Sequence, residues 1–71
     1  MSTTPLSYIN LRGLDLSGLD LSDIDFSDCD LSGANLKRAN FEGAILKRTN
    51  FKDADLEGAH LGSIRLDRDG V

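Results

Sequence analysis

The chain has 71 residues, 12 acids against 8 bases for a net charge of −4, one cysteine and one proline. That is one small domain, 1–71, of a size at which a single core rarely suffices below about 70–80 residues without disulfides, metal or association. A lone cysteine excludes an internal disulfide, and Cys29 stands in an apolar-patterned slot that suits a small core residue.

The opening stretch, MSTTPLSY, is neither basic nor apolar, and the longest apolar run is Ala44-Ile45-Leu46. A signal peptide and a membrane span are therefore not expected, and a soluble, cytoplasmic protein is. From Ile9 the chain divides into fives: INLRG, LDLSG, LDLSD, IDFSD, CDLSG, ANLKR, ANFEG, AILKR, TNFKD, ADLEG, AHLGS, IRLDR. TPLSY extends the series backwards, so thirteen pentads run from Thr4 to Arg68 without insertion or deletion. A Leu or Phe stands at the centre of each. Self-similarity at a fixed period decides architecture before propensity does.

A period of five fits neither the helical 3.6 nor the strand's two. Each pentad has an apolar centre and an apolar residue two before it, with Asp, Asn, Ser, Gly and charged residues elsewhere, so the chain must turn after every group. Two side chains pointing inward, a turn and a repeat wind the chain into a coil with a rise of about 4.8 Å per turn.

The groups A-N-L-K-R, A-N-F-E-G and A-D-L-E-G resemble the A-[DN]-[LF]-x-x signature of the pentapeptide-repeat family. The resemblance covers about nine tenths of the chain. It implies an all-β fold, a right-handed quadrilateral β-helix or pentapeptide-repeat solenoid of about three turns, with four pentads to each. Residues twenty apart then stack, which sets Lys37 beside Glu57 and Asp28 under Arg48. Asn or Asp before each centre is expected to bond local backbone at the turn through a side-chain oxygen.

The first turn departs from the repeat. Ile9, Leu14, Leu19 and Ile24 occupy the slot that holds Ala34, Ala39, Ala44, Ala54 and Ala59 further on. Overpacking an interior costs about 1–3 kcal/mol per site, so these large residues need the open end of the coil. Either they fold over and plug the core, or they meet a second copy or another protein. Terminal repeats need polar caps, and only three residues lie outside the pentads at each end. Association through an end follows as the expectation, with Ile9, Leu14, Leu19 and Ile24 as its surface and a homodimer as its product.

The outside of that turn is acidic. Asp15, Asp20, Asp23, Asp25, Asp28 and Asp30 follow Arg12 with no base until Lys37. Asp15, Asp20, Asp25 and Asp30 are expected to form a steering belt that suits a basic partner and disfavours nucleic acid. Ile45 stands where the neighbouring pentads have Asn or Asp, and is expected to face outward between Asp25 and Arg65. With Tyr8, Ile24 and Ile64 it marks a contact patch.

Catalysis finds no support. His60 occupies a turn position with no Ser or Cys placed to form an acyl-transfer pair. The pairs Asp23/Asp25, Asp28/Asp30 and Asp53/Asp55 each straddle a corner, and Asp67-Arg68-Asp69-Gly70 is only a fragment of a calcium loop. No catalytic residue, metal or cofactor is assigned. Lys37-Arg38 and Lys47-Arg48 are ten residues apart and fall on opposite faces, which dissolves the one basic cluster.

The functional expectation is a non-enzymatic protein–protein interaction module, a minimal acidic β-helix that self-associates or docks a protein. The alternative comes from the resemblance: some family members mimic DNA, presenting an acidic rod to DNA gyrase or topoisomerase IV. A type II topoisomerase is the partner on that reading. Three turns give only about 15 Å of rise, short for such a rod.

Overall fold

The five-residue phase of the sequence is a phase of backbone conformation. The computed structural model describes residues 4–66. In it the residue two after each centre has a positive φ, at Tyr8, Gly13, Gly18, Asp23, Asp28, Gly33, Arg38, Gly43, Arg48, Asp53, Gly58 and Ser63. Glycine adopts this left-handed conformation freely, and the other side chains hold it against a penalty. Two kinds of hydrogen bond close the turn. The first N–H of the next pentad donates to the central carbonyl, as in Cys29 N to Phe26 O at 2.9 Å and Ala44 N to Phe41 O at 2.8 Å. The Oδ1 before the centre accepts the N–H after it, as in Asp25 from Ser27 at 2.9 Å and Asn40 from Glu42 at 2.9 Å.

Turns stack in register. From Leu6 to Leu46 each central N–H donates to the carbonyl nineteen residues on, as in Phe26 to Ile45 at 2.9 Å and Phe41 to His60 at 2.8 Å. The residue before the centre donates back twenty-one places, as in Asn50 to Cys29 at 2.9 Å and His60 to Ala39 at 2.9 Å. Four columns of parallel pairings result: Asn10, Asp30, Asn50; Asp15, Asn35, Asp55; Asp20, Asn40, His60; and Pro5, Asp25, Ile45, Arg65. One rung is thus four pentads, and the expected twenty-residue register is the observed one.

The core lies in the middle of the stack. Phe26, Leu31, Leu36 and Phe41 supply the centres of the second rung and are buried with Cys29, Ala34, Ala39 and Ala44. Phe41 meets Phe26 and Phe51 edge to face, with ring centroids at 5.6 and 6.1 Å. These residues have a rung on either side, so both faces of each side chain are covered. Leu6, Leu11 and Leu16 before them, and Phe51 and Leu56 after, are only partly buried.

The expected all-β, right-handed quadrilateral β-helix is corrected. Regular strand among the described residues is limited to β1, Thr4–Pro5, and β2, Ile24–Asp25, which form a two-stranded parallel sheet with Thr4 on Ile24 and Pro5 on Asp25. No helix occurs among them, and the remaining pairings are isolated single-residue bridges. The physical reason is the turn itself. It takes up most of each pentad and leaves one residue, that before the centre, to pair with its neighbours. The molecule is a pile of hydrogen-bonded turns, and the solenoid of sheets does not form.

The function built on that fold is corrected with it. A minimal acidic β-helix, offered to proteins or presented as a DNA-like rod to gyrase or topoisomerase IV, needs an extended sheet structure that is absent from the described residues. The molecule measures 28 × 22 × 17 Å along its principal axes, which is not a rod.

Candidate functional site: the apolar first rung

Three of the four large residues expected at the association end reach the surface. Ile9, Leu14 and Leu19 are 40, 45 and 46 % exposed, whereas Cys29, Ala34 and Ala39, twenty residues on in the same slot, are 1, 0 and 0 % exposed. The carbonyls of Ile9, Leu14 and Leu19 accept the N–H groups of Asp30, Asn35 and Asn40 at 3.1, 2.9 and 2.9 Å. Their backbone is therefore pinned to the second rung, while their side chains lie on the face with no rung beyond it among the described residues. They do not fold over into a sealed plug. Ile24 is different: it belongs to the next rung, pairs with Thr4 and is half-buried. Tyr8 stands at the corner beside Ile9 and is exposed.

The acidic belt is less available than its sequence suggests. Asp15, Asp20, Asp25 and Asp30 each turn Oδ1 onto the backbone N–H and hydroxyl of the serine two residues on, with hydroxyl contacts of 2.7, 2.6, 2.5 and 2.6 Å. Those hydroxyl bonds, followed by the backbone N–H bonds, hold the carboxyls of Asp15, Asp20 and Asp30 below the usual carboxylate range. Arg12 adds an ion pair to Asp30 at 3.6 Å. Only Asp15 and Asp20 are fully at the surface.

Asp25 and Ile45 are corrections. Both were expected on the outside, and both are buried, at 6 and 3 % exposure. Ile45 does sit between Asp25 and Arg65, as its register required. Their column carries four levels among the described residues, Pro5, Asp25, Ile45 and Arg65, and the two are its inner members. The patch of Tyr8, Ile24, Ile45 and Ile64 is not assembled: Tyr8 is exposed, Ile24 and Ile64 are half-buried and Ile45 is in the interior.

Of the two stacked charge pairs, Arg48 finds Asp28. Lys37 instead reaches Asp55, with Nζ 3.5 Å from Oδ2. Glu57 supplies its backbone carbonyl to Arg38 N at 2.9 Å. His60 pairs through backbone with Asn40 and is exposed. Cys29 is buried, its Sγ donating to the Leu6 carbonyl at 2.7 Å, and burial pushes its thiol pKa up. That is the reverse of an activated nucleophile. No group of three or more His, Cys, Asp or Glu able to hold a metal occurs among the described residues, and Asp67, Asp69 and Gly70 lie outside them.

Sequence reasoning missed the opposite end. Leu61 and Leu66 are 42 and 65 % exposed, a second apolar face at the close of the stack.

No curated protein matches the chain. The family model for pentapeptide repeats, in 8 copies, matches residues 6–33 and 24–62. These spans contain the buried core and all but the outermost members of the turns and columns described above, and the chain belongs to the pentapeptide-repeat family.

Proposed function

We propose that the protein is non-catalytic and works as an oligomer of its own chain, joined through the apolar end made by Ile9, Leu14 and Leu19. The observation that supports this reading is the contrast within one slot: large residues half-exposed in the first rung, small ones sealed in the second. A free monomer gains nothing from Leu at a position where Ala satisfies the interior. A contact surface does, because each large apolar side chain buried from water contributes about 1.5–3 kcal/mol. The buried, hydrogen-bonded thiol of Cys29 and the carboxylates of Asp15 and Asp20, engaged by neighbouring serines, fit a non-catalytic role better than that of an activated nucleophile or acid–base pair.

Light scattering over a concentration series tests it. The wild type is expected to gain mass with concentration, and Leu14→Asp to remain a monomer of unchanged secondary structure. A wild type that stays monomeric throughout overturns the reading.

A further inference from the structure

We infer that the groove between Arg12 and Lys52 binds a phosphate monoester, its phosphoryl dianion held at the level of Ser32 and Gly33. The site is on the flank of the stack and does not depend on self-association. Arg12, Ser32 and Lys52 stand one above another, each next after a pentad centre, and Gly13, Gly33 and Asp53 form the corner beside them. Backbone bonds fix the two columns: Gly13 N donates to Ser32 O at 3.0 Å and Gly33 N to Lys52 O at 2.8 Å. With Asn10 and Leu14 these residues line a groove of about 750 Å³. Small-molecule sites run from about 300 to 1,000 Å³, so the space suits an organic phosphate more than a bare ion.

The groove is open because two glycines follow each other in one corner. Elsewhere the space over a corner glycine is taken by the side chain one rung earlier. A Cβ at Gly43 would meet Asp23 Oδ1, and one at Gly58 would meet Arg38 Cγ at 3.2 Å. One rung before Gly33 the corner residue is Gly13, and a Cβ on either meets nothing within 4 Å.

The donors in the lining are not engaged elsewhere. Lys52 forms no ion pair or side-chain hydrogen bond with the described residues. Arg12 lies 3.6 Å from Asp30, Nε to Oδ2, outside hydrogen-bonding distance. Asn10 turns its Oδ1 onto Arg12 N at 3.1 Å, which leaves its amide nitrogen as a donor. Ser32 adds none, because its hydroxyl donates to Asp30 Oδ1 at 2.6 Å.

Spacing and charge select the ligand. Arg12 and Lys52 are two rungs apart, about 10 Å at 4.8 Å per rung, so a group level with Ser32 is one rung from each. Two cations match the two charges of a phosphoryl group, the guanidinium as a fork on its oxygens and the ammonium as a point charge. A carboxylate has charge for only one of them. Asp53, at the third-rung end of the corner, repels an anion and so sets the seat beside Gly13 and Gly33. A second groove, of about 480 Å³, has Asp23 and Glu42 against Arg65, and Asp23 fills its glycine notch. It does not suit an anion.

Two-dimensional NMR on the full chain tests the site, with phenyl phosphate, inorganic phosphate or acetate titrated against sodium chloride of equal ionic strength. Phenyl phosphate is expected to give saturable shifts at the amides of Gly13, Ser32 and Gly33. Arg12→Gln and Lys52→Gln should each weaken binding about tenfold through loss of a charged hydrogen-bond donor. Asp53→Asn, which tolerates the left-handed corner, should tighten it about threefold, and Arg38→Gln, on another corner, should leave it unchanged. Circular dichroism confirms that each variant keeps the fold. The site is overturned by shifts that do not saturate below about 10 mM, by shifts shared equally with the corners of Arg38 and Arg48, or by full affinity in both Arg12→Gln and Lys52→Gln. Acetate binding as tightly as phenyl phosphate overturns the phosphoryl group as the ligand, and tighter binding of inorganic phosphate overturns the monoester.

Discussion

Arg48 closes on Asp28, 20 residues earlier, with two guanidinium nitrogens: Nε lies 2.5 Å from Oδ1 and a terminal nitrogen 2.8 Å from Oδ2. Both residues hold left-handed backbone, with φ of 56° and 61°. The fork therefore spans two corners of successive rungs that each carry conformational strain, and the planar match of guanidinium to carboxylate fixes their spacing.

Arg48→Lys keeps the charge and loses the fork. A lower thermal midpoint is expected at low salt, with the gap from wild type closing as salt rises, because an exposed pair is screened. Thermal melts at two ionic strengths measure it. A deficit independent of salt would mean that packing of the arginine stem, not the pair, is what matters.

Phe41 touches Phe26 on one side and Phe51 on the other. Phe41→Ala is expected to cost about 3–5 kcal/mol, and Phe41→Leu far less, since Leu31 and Leu36 fill equivalent positions in the same rung. Urea titration of both variants reads the difference. Equal losses would make the aromatic contacts, and not the filled volume, the reason.

Gly13 and Gly43 share a positive φ, of 69° and 74°, but not their surroundings. A Cβ at Gly13 meets nothing within 4 Å, while one at Gly43 would collide with Asp23 Oδ1. Gly13→Ala should cost about 1–2 kcal/mol for the conformation alone, and Gly43→Ala more, unless Asp23→Gly relieves it. The double variant compared with each single one supplies the check.

The carboxyls of Asp15, Asp20 and Asp30 titrate below their ordinary value, chiefly through the serine hydroxyls that bond them. A lowered folded-state pKa means stability that is complete above the unfolded value and lost as pH falls through the folded one. The protein is therefore expected to weaken only in the acid range, below the ordinary carboxylate pKa. Ser17→Ala should raise the Asp15 midpoint towards its unperturbed value and leave that of Asp20 in place. Carbon-detected NMR titration of the carboxyls follows both, and no movement of Asp15 would discount the hydroxyl.

Ala39 and Leu19 occupy one slot, a rung apart, at 0 and 46 % exposure. Ala39→Leu is expected to destabilise the fold by about 1–3 kcal/mol through overpacking. Leu19→Ala should change the melting of the dilute monomer little and reduce assembly at high concentration. Denaturation at low concentration, set beside light scattering at high concentration, separates the two. A large stability loss for Leu19→Ala would assign it to the core.

Much of this was legible in the chain because it depends on near neighbours. The phase of five needs only the recurrence of Leu and Phe, and the Asx bond at each turn joins residues two apart, so Asp15, Asn35 and Asp55 announce it wherever they stand. The twenty-residue register came from the family resemblance, because a period of five calls for a coil without saying how many pentads close a turn. The stack itself decided the rest. How much of each pentad the turn consumes set the strand content, and left two-residue strands where a β-helix was expected. Burial of the side chains in the inward slots followed the rungs above and below them among the described residues, which is why Ala39 is sealed and Leu19 is not. Lys37 took Asp55 over Glu57 because a long, flexible side chain chooses among carboxylates by reach, and reach is a distance between rungs that no spacing in the sequence records. The apolar first rung stands between these cases: its size is written in the chain, and its exposure is that of a face with no further rung among the described residues.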